Sequence, residues 1–128
     1  MNVTIEMQGG DKLLSLLKKI GYIPQSLPSI LFQEGESIMS ASKAEVPVDL
    51  GNLRATGHVQ APVVTSQSVE VLLGYGGPAV DYAIVVHENL EAHHTVGKAK
   101  YLEDPALRAA KGMGQRIATR IKALEGLT

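Results

Sequence analysis

One segment of the sequence carries side chains that suit metal chemistry, His87-Glu88-Asn89-Leu90-Glu91-Ala92-His93-His94. A zinc-protease helix places two histidines four residues apart with a glutamate directly after the first, so that both imidazoles face one ion. Here His93 and His94 follow His87 by six and seven residues, and the segment leaves a predicted strand. The spacing favours a polar loop with His87 at the end of that strand. A metal held across the loop stays open as the alternative.

Two other patterns that could serve catalysis are incomplete. The glycine-rich segment Gly74-Tyr75-Gly76-Gly77-Pro78 lacks the lysine and hydroxyl residue of a phosphate-binding loop, and it lies between two predicted strands rather than before a helix. We interpret it as a turn. The chain has no cysteine, which excludes disulfides and thiolate chemistry. Its serines show no accompanying histidine and carboxylate pattern, although a triad assembled only in space stays open.

The segment Val46–Thr56 combines residues that favour a tight connection between elements. Pro47 fixes an extended approach, and the Asp49 carboxylate can accept hydrogen bonds from the amides two and three residues later, as in an Asx turn or helix cap. Leu53 is expected in the core while Arg54 points away from it. A capped connection from helix to sheet accounts for every feature except the presence of Arg54.

Hydrophobic periods predict a strand and two helices before this connection. Residues 3–7 alternate between apolar and polar side chains, as in a half-buried strand. A short helix is predicted between Asp11 and Gly21, and a second one begins between Ser26 and Ser29 and ends near Ala44. Gly35 argues against an unbroken second helix. The buried side of the second helix is predicted to be Leu27, Leu31, Ile38 and Ala41.

Strands and one long helix are predicted after the connection. From Gly57 the period changes to two, Pro62 indicates an edge or bulge, and residues 65–67 form a polar turn. Residues 69–75 alternate, and 82–86 are apolar on both faces, as in a central strand of an antiparallel meander. The last helix is predicted to begin with Asp104 as N-cap and to continue to Gly126, with a bend or close crossing at its internal glycines. The predicted fold is an α+β domain: an antiparallel sheet of three to four strands, packed by two N-terminal helices and one long C-terminal helix.

Length and charge bound the class of protein. The 128 residues, 45 % of them hydrophobic, suit a single domain over residues 1–128 with one core. No apolar stretch is long enough to cross a membrane, and the first residues do not resemble a secretory signal. The net charge of −1 argues against a general nucleic-acid binder. That charge is divided unevenly, because residues 1–96 carry five bases and ten acids whereas residues 97–128 carry seven bases and three acids.

Three segments together resemble a known family. Pro47-Val48-Asp49-Leu50-Gly51-Asn52-Leu53-Arg54-Ala55-Thr56 is similar to the "PVDTGNLRxS" signature of the tail-completion and head–tail joining proteins of long-tailed bacteriophages, also described as minor capsid or neck proteins. Tyr82–Glu88 is similar to the strand written "YAxxVHE" in that family, and Lys100–Leu107 to its "KxLxPAL" entry into the last helix. Leu50 and Thr56 depart mildly from the signature, and the segment 89–94 replaces an aromatic-glycine turn.

The resemblance implies a structural protein of the virion, without catalytic residues or cofactors. It implies a ring, sixfold when assembled, that joins the tail tube to the head-closure proteins of the neck. DNA passes through such a ring without sequence recognition, and assembly takes place in the host cytoplasm without a membrane. The partners that the resemblance implies are other copies of this chain, which would form the ring, and the tail-tube and head-closure or neck proteins on either side of it.

The uneven charge suits a head-to-tail contact between subunits, in which an acidic body meets a basic final helix. Such assembly is expected to weaken in about 1 M salt, where the screening length is roughly 3 Å. The alternative is that both charged sets are solvated surfaces. The residues predicted to face a partner are Asp49, Asn52, Arg54, His87, Glu88, His93, His94, Arg108, Lys111, Arg116 and Arg120.

Two functions of other classes stay open on the sequence alone. One is a regulatory module that binds a protein or a nucleic acid through its basic final helix. The other is a metal-dependent hydrolase that uses His87, Glu88, His93 and His94. Salt-sensitive DNA binding would favour the first, and a stoichiometric bound metal would favour the second.

Overall fold

An antiparallel sheet and the helices packed on it form an α+β fold in the computed structural model, which describes residues 3–6, 24–66, 68–76, 82–87, 92–96 and 100–126. These ranges contain the strands β1 (Val3–Glu6), β2 (His58–Val59), β3 (Val63–Val64), β4 (Ser68–Gly74), β5 (Tyr82–His87) and β6 (Ala92–Val96). They also contain the helices α1 (Leu27–Glu45), α2 (Gly51–Ala55), α3 (Lys100–Ala110) and α4 (Met113–Glu125), and a 3₁₀ turn at Val48–Leu50.

The sheet has the order β1-β6-β5-β4-β2, and its pairings among the described residues are antiparallel. Strands β1, β6, β5 and β4 form its body, and the two-residue strands β2 and β3 share the outer edge of β4. The predicted strands correspond to β1, β2, β4 and β5, so the predicted sheet of three to four strands lacks β3 and β6. The prediction of β5 as a central strand is confirmed, since β4 and β6 flank it.

Strand β6 was not predicted. The sequence favoured a polar loop through His94, whereas Ala92–Val96 pairs with β5 on one side and with β1 on the other. The cause is the composition of this strand, Ala-His-His-Thr-Val, which lacks the apolar alternation that identifies a half-buried strand. Pairing with two neighbours, rather than local propensity, fixes its extended conformation.

The edge beside β4 has the interruption that Pro62 predicts. The chain leaves β2 after Val59 and rejoins β4 at Val63, and between them the Gln60 amide still donates to the Leu72 carbonyl at 2.8 Å. Proline has no amide hydrogen, so an edge position costs it no ladder bond. The predicted polar turn follows, with the Thr65 amide donating to the Ser68 carbonyl at 2.9 Å.

Helix α1 packs its apolar side on the face of β4 that carries Val69, Val71 and Leu73, as the strand period predicts. The predicted bounds of α1 are confirmed, but Ala41 is exposed, so its assignment to the buried side was wrong. The buried side consists of Leu27, Ile30, Leu31, Glu34, Gly35, Ile38, Met39 and Ser42. It turns toward Ser42 rather than Ala41 because the helix repeats every 3.6 residues and the Ser42 hydroxyl reaches a hydrogen-bond partner in Tyr75, directly after β4.

Gly35 does not break α1, contrary to the expectation from its low helix propensity. A Cβ at this position would lie 3.1 Å from Val71 Cγ1 and 3.2 Å from Val59 Cγ1. The missing side chain lets the helix approach the sheet closely, and the packing gained there outweighs the local cost of glycine.

The predicted single C-terminal helix is two helices, and this part of the prediction was wrong. Helix α3 begins at Lys100 rather than after an Asp104 N-cap, because Tyr101 and Leu102 pack into the core and hold the turn that precedes Pro105. The chain then turns at Gly112, which has a φ of 72°, and continues as α4. The bend expected at the internal glycines is therefore a break at Gly112.

The short helix predicted between Asp11 and Gly21 lies outside the described residues. None of the helices within the described ranges combines the length and apolarity needed to cross a lipid bilayer.

Candidate interaction site at the end of helix α1

The segment Val46–Gly57, here called the elbow, carries the chain from the end of α1 to the start of β2. Val46 is buried, and Pro47 is extended with φ −54° and ψ 145°. The Leu50 amide donates to the Pro47 carbonyl at 2.9 Å, which closes the 3₁₀ turn that leads into α2. Leu53 packs against the core, as predicted.

The cap predicted for Asp49 is absent. Asp49 is exposed, and neither the 3₁₀ turn nor α2 carries a side-chain cap hydrogen bond. Thr56 supplies the polar anchor instead. Its Oγ1 donates to the Leu53 carbonyl at 2.6 Å and accepts from the Gly76 amide at 2.7 Å. The elbow is therefore tied to the end of β4 by a threonine, while the Asp49 carboxylate faces solvent.

Arg54 does not point away from the body of the protein. Its Nη2 donates to the Val46 carbonyl at 2.9 Å, and its Nε is buried without a hydrogen-bond partner. The contact with Val46 explains this residue locally, since the guanidinium binds the carbonyl that follows the last turn of α1. That Arg54 faces a partner stays a prediction; the residue is half-buried.

Aromatic and small residues join the elbow to β4 and α3. Tyr75 lies at the centre: its hydroxyl is 2.7 Å from Ser42 Oγ, and its ring meets the ring of Tyr101 edge-on, with centroids 5.3 Å apart. A Cβ at Gly57 would lie 2.8 Å from the Tyr75 ring and 2.6 Å from Lys43 Cε. Tyr75 therefore links the end of α1, through Ser42, to α3, through Tyr101, and its ring lies beside Gly57 at the end of the elbow.

Three of the basic residues predicted to face a partner, the arginines of α3 and α4, are paired with carboxylates of α1. Arg116 donates to both oxygens of Glu34, from Nη2 at 2.8 Å and from Nε at 3.3 Å, and Arg120 Nη1 lies 3.6 Å from the same carboxylate. Arg108 Nη2 lies 2.7 Å from Glu45 Oε1. Lys111 is exposed in the turn between α3 and α4. The opposite charges that the sequence assigned to neighbouring subunits meet, at these three arginines, inside one subunit.

Glu34 was missed as a site residue, although the sequence contains a signal for it. It is only 5 % exposed, and it lies four residues after Ile30 and four before Ile38, within the apolar stripe of α1. A carboxylate in such a stripe is expected to have a cationic partner. Nothing local in the sequence identifies that partner as a residue 82 positions further along the chain.

The four residues of the metal alternative are distributed over two strands and their connection. His87 ends β5, Glu88 lies outside the described residues, and His93 and His94 are consecutive positions of β6. The register pairs position 93 with Val85 and position 94 with Ile84. Successive positions of a strand belong to opposite faces of its sheet, so positions 93 and 94 do not share a face. Among the side chains that the structure describes, no three metal-ligating groups come together.

The exposed part of the elbow offers contacts rather than reactive groups. Asp49, Leu50, Gly51 and Asn52 are exposed, and Leu50 leaves 41 % of its surface in solvent. This patch combines a carboxylate, an amide and an apolar side chain on one short turn. Such a surface can dock another protein through hydrogen bonds and one apolar anchor.

No protein-family model, no curated protein and no solved structure matches the chain.

Proposed function

We propose that this chain is a structural protein of a long-tailed bacteriophage, a tail-completion or head–tail joining subunit that acts by binding other proteins. The observation that carries the proposal is the elbow, in which the segment that resembles the family signature is held by hydrogen bonds and leaves Asp49, Leu50 and Asn52 on the surface. Inside the elbow, Thr56 and the Nη2 of Arg54 hold its shape through hydrogen bonds to the chain's own backbone. The polar groups on its surface are available to a partner.

The proposed partners are other copies of this chain, the tail-tube protein and the head-closure proteins of the neck. A ring needs two different surfaces on each subunit that meet head to tail. The elbow, at one end of α1, would provide one of them. The ring is proposed to be sixfold when assembled, with DNA passing through it unread.

The proposal is tested by deleting the gene from the phage or prophage that carries it and supplying it from a plasmid. We expect the deletion to yield filled heads and finished tails that do not join, visible by electron microscopy. A plasmid with Asp49→Ala, Leu50→Ala and Asn52→Ala together should restore few infectious particles. These side chains are exposed, so the triple variant should fold normally by circular dichroism.

A matched control is available on the exposed side of α1. Gln33→Ala, Ser37→Ala and Ser40→Ala together remove three exposed polar side chains from another surface and should restore infectivity. Normal infectious particles from the deletion strain would contradict the proposed function. Full restoration by the elbow variant would leave a joining role possible only through a different surface, and would refute the elbow as the docking site.

A further inference from the structure

Helices α3 and α4 carry one continuous buried stripe, although the chain turns between them. Its members are three or four residues apart, the spacing of an uninterrupted helix: Leu102, Ala106, Ala110, Met113, Ile117 and Ile121. The turn depends on Gly112, whose φ is 72°. A Cβ there would meet only Arg116 Nη1, at 3.6 Å, so the backbone conformation and not crowding requires glycine.

Arg116 donates hydrogen bonds to two carbonyl groups at the break between α3 and α4. Its Nη2 donates to the Ala109 oxygen at 2.6 Å, and its Nη1 donates to the Lys111 oxygen at 2.9 Å. In an uninterrupted α-helix the same two oxygens would accept from the amides of residues 113 and 115. The bent and the continuous helix therefore satisfy these carbonyls with different donors and leave neither unpaired.

Helix α4 is attached to α1 at both ends and along its apolar side. Arg116, near its start, and Arg120, near its middle, bind the buried carboxylate of Glu34. At its end, Glu125 Oε1 accepts from both the amide and the hydroxyl of Ser26, each at 2.9 Å. Between these points the buried residues of α4 belong to the same core cluster as those of α1.

We infer that α4 is an exchangeable element: when the chain straightens at Gly112, α4 leaves its own α1 and occupies the same place on α1 of a second copy. The contacts between α4 and α1 are identical within one chain and between two chains, so exchange sacrifices none of them. What changes is the junction, where glycine gives up a left-handed conformation for a helical one. Lys111 and Gly112 form a two-residue hinge within a continuous apolar stripe, and a short hinge of this kind permits such exchange.

The kind of partner follows from the geometry, and it is a second copy of this chain. Only an identical α4 supplies the two arginines, the terminal glutamate and the apolar stripe at the required spacing. Open exchange from each subunit to the next is a head-to-tail contact, which closes into a ring or continues as a chain. The inference does not depend on the proposed virion function.

The test uses the absence of cysteine from the natural sequence. Ser26→Cys and Glu125→Cys introduce a pair of thiols at two groups that are in contact. A short bis-maleimide joins these thiols within one chain in the closed protein and between chains after exchange, and a denaturing gel separates the two products. Adding Gly112→Ala should raise the ratio of interchain to intrachain product by about tenfold to a hundredfold at equal concentration, because alanine disfavours the left-handed conformation and favours helix.

Two controls isolate exchange from other effects. Gly112→Asn in the same background should leave the ratio near its starting value, since asparagine tolerates the left-handed conformation. Ser26→Cys with Ser40→Cys places two thiols about 21 Å apart along α1, too far for the short reagent, so its interchain product measures random collision. Circular dichroism shows whether each variant is folded.

A second experiment needs no change at Gly112. The protein with Ser26→Cys and Glu125→Cys is unfolded in urea and refolded at low and at high concentration. We expect intrachain product from the dilute sample and, from the concentrated one, interchain product above the collision control. A folded Gly112→Ala protein with only intrachain product would overturn the inference. If the Gly112→Ala variant does not fold, the refolding experiment decides alone. A concentrated sample that yields intrachain product without interchain product above the collision control would then overturn the inference.

Discussion

Glu34 shows how one buried carboxylate can join three helices. It lies on α1 among apolar side chains, and Arg116 reaches it from α4 while also binding the Ala109 carbonyl of α3 and the Lys111 carbonyl of the following turn. A buried ion pair adds little compared with well-packed apolar residues, but removing one member leaves the other charge without its partner. The cluster therefore fixes the arrangement of the helices more than it adds to the free energy of unfolding.

Glu34→Gln is expected to lower the free energy of unfolding by about 1–3 kcal/mol. The loss is smaller than for a fully buried pair because Arg116 and Arg120 keep 44 % and 41 % of their side chains in solvent. Glu45→Gln is the matched control. Glu45 and its partner Arg108 expose 38 % and 58 % of their side chains, respectively, so this substitution should lower the free energy of unfolding by less than about 1 kcal/mol. Urea unfolding measures both, and equal losses would contradict the structural role of Glu34.

Gly57→Ala is expected to destabilise the protein by about 1–3 kcal/mol, since the new Cβ would overlap Lys43, Tyr75 and Met39. Gly51→Ala provides the control within the same elbow. Gly51 has a helical φ of −57° and no atom within 4 Å of the added Cβ, so alanine should be neutral or stabilise by up to about 1 kcal/mol. Denaturant midpoints that shift equally for the two variants would show that the elbow does not require close packing at Gly57.

The sequence pattern correctly predicted the elbow residues whose surroundings are formed by neighbours only a few positions away in the chain. Leu53 in the core follows from its place in an apolar-polar sequence, and it is confirmed. Asp49 has the right spacing for a cap, but Thr56 takes the anchoring role because β4 brings the Gly76 amide to it from 20 residues away. The orientation of Arg54 depends on the Val46 carbonyl, whose direction the sequence does not specify.

At the scale of elements, predictions succeeded where one face of an element is buried along its whole length. The bounds of α1 and the alternation of β4 are of this kind. Strand β6 was not predicted because its residues carry no such alternation, and its extended conformation comes from pairing with β1 and β5. The prediction of one continuous C-terminal helix was wrong for the opposite reason. The apolar stripe does continue from α3 to α4, and the helix is interrupted at the left-handed Gly112.

The start of α1 depends on the end of α4. Helix α1 has no side-chain cap of its own, and Ser26 donates its amide and hydroxyl to Glu125 instead. We expect Glu125→Ala to lower the free energy of unfolding by about 1–2 kcal/mol and to speed hydrogen exchange of the first amides of α1. Ser29→Ala is the control, because its exposed hydroxyl donates only to the Ser26 carbonyl. Unchanged exchange in Glu125→Ala would show that α1 begins independently of α4.

At the scale of the whole molecule, folding cancels most of the charge separation along the sequence. Helices α1, α3 and α4 and the turn at Lys111 together carry seven bases and six acids. Glu34 and Glu45 come from the acidic part of the sequence, and their partners come from the basic part. A contact between subunits driven by a basic final helix therefore stays a prediction, with three of its arginines already paired.

The same cancellation predicts weak binding to nucleic acid. Phosphate contacts need free cations, so we expect a Kd for duplex DNA no tighter than about 10⁻⁴ M at physiological salt, measured by fluorescence anisotropy. Glu36→Gln with Glu45→Gln removes two acids from the helical layer and releases Arg108, which should tighten binding and steepen its dependence on salt between about 50 and 200 mM. Tight, salt-sensitive binding by the unaltered chain would instead favour a nucleic-acid-binding module, because its exposed cations would then suffice without the arginines held by Glu34 and Glu45.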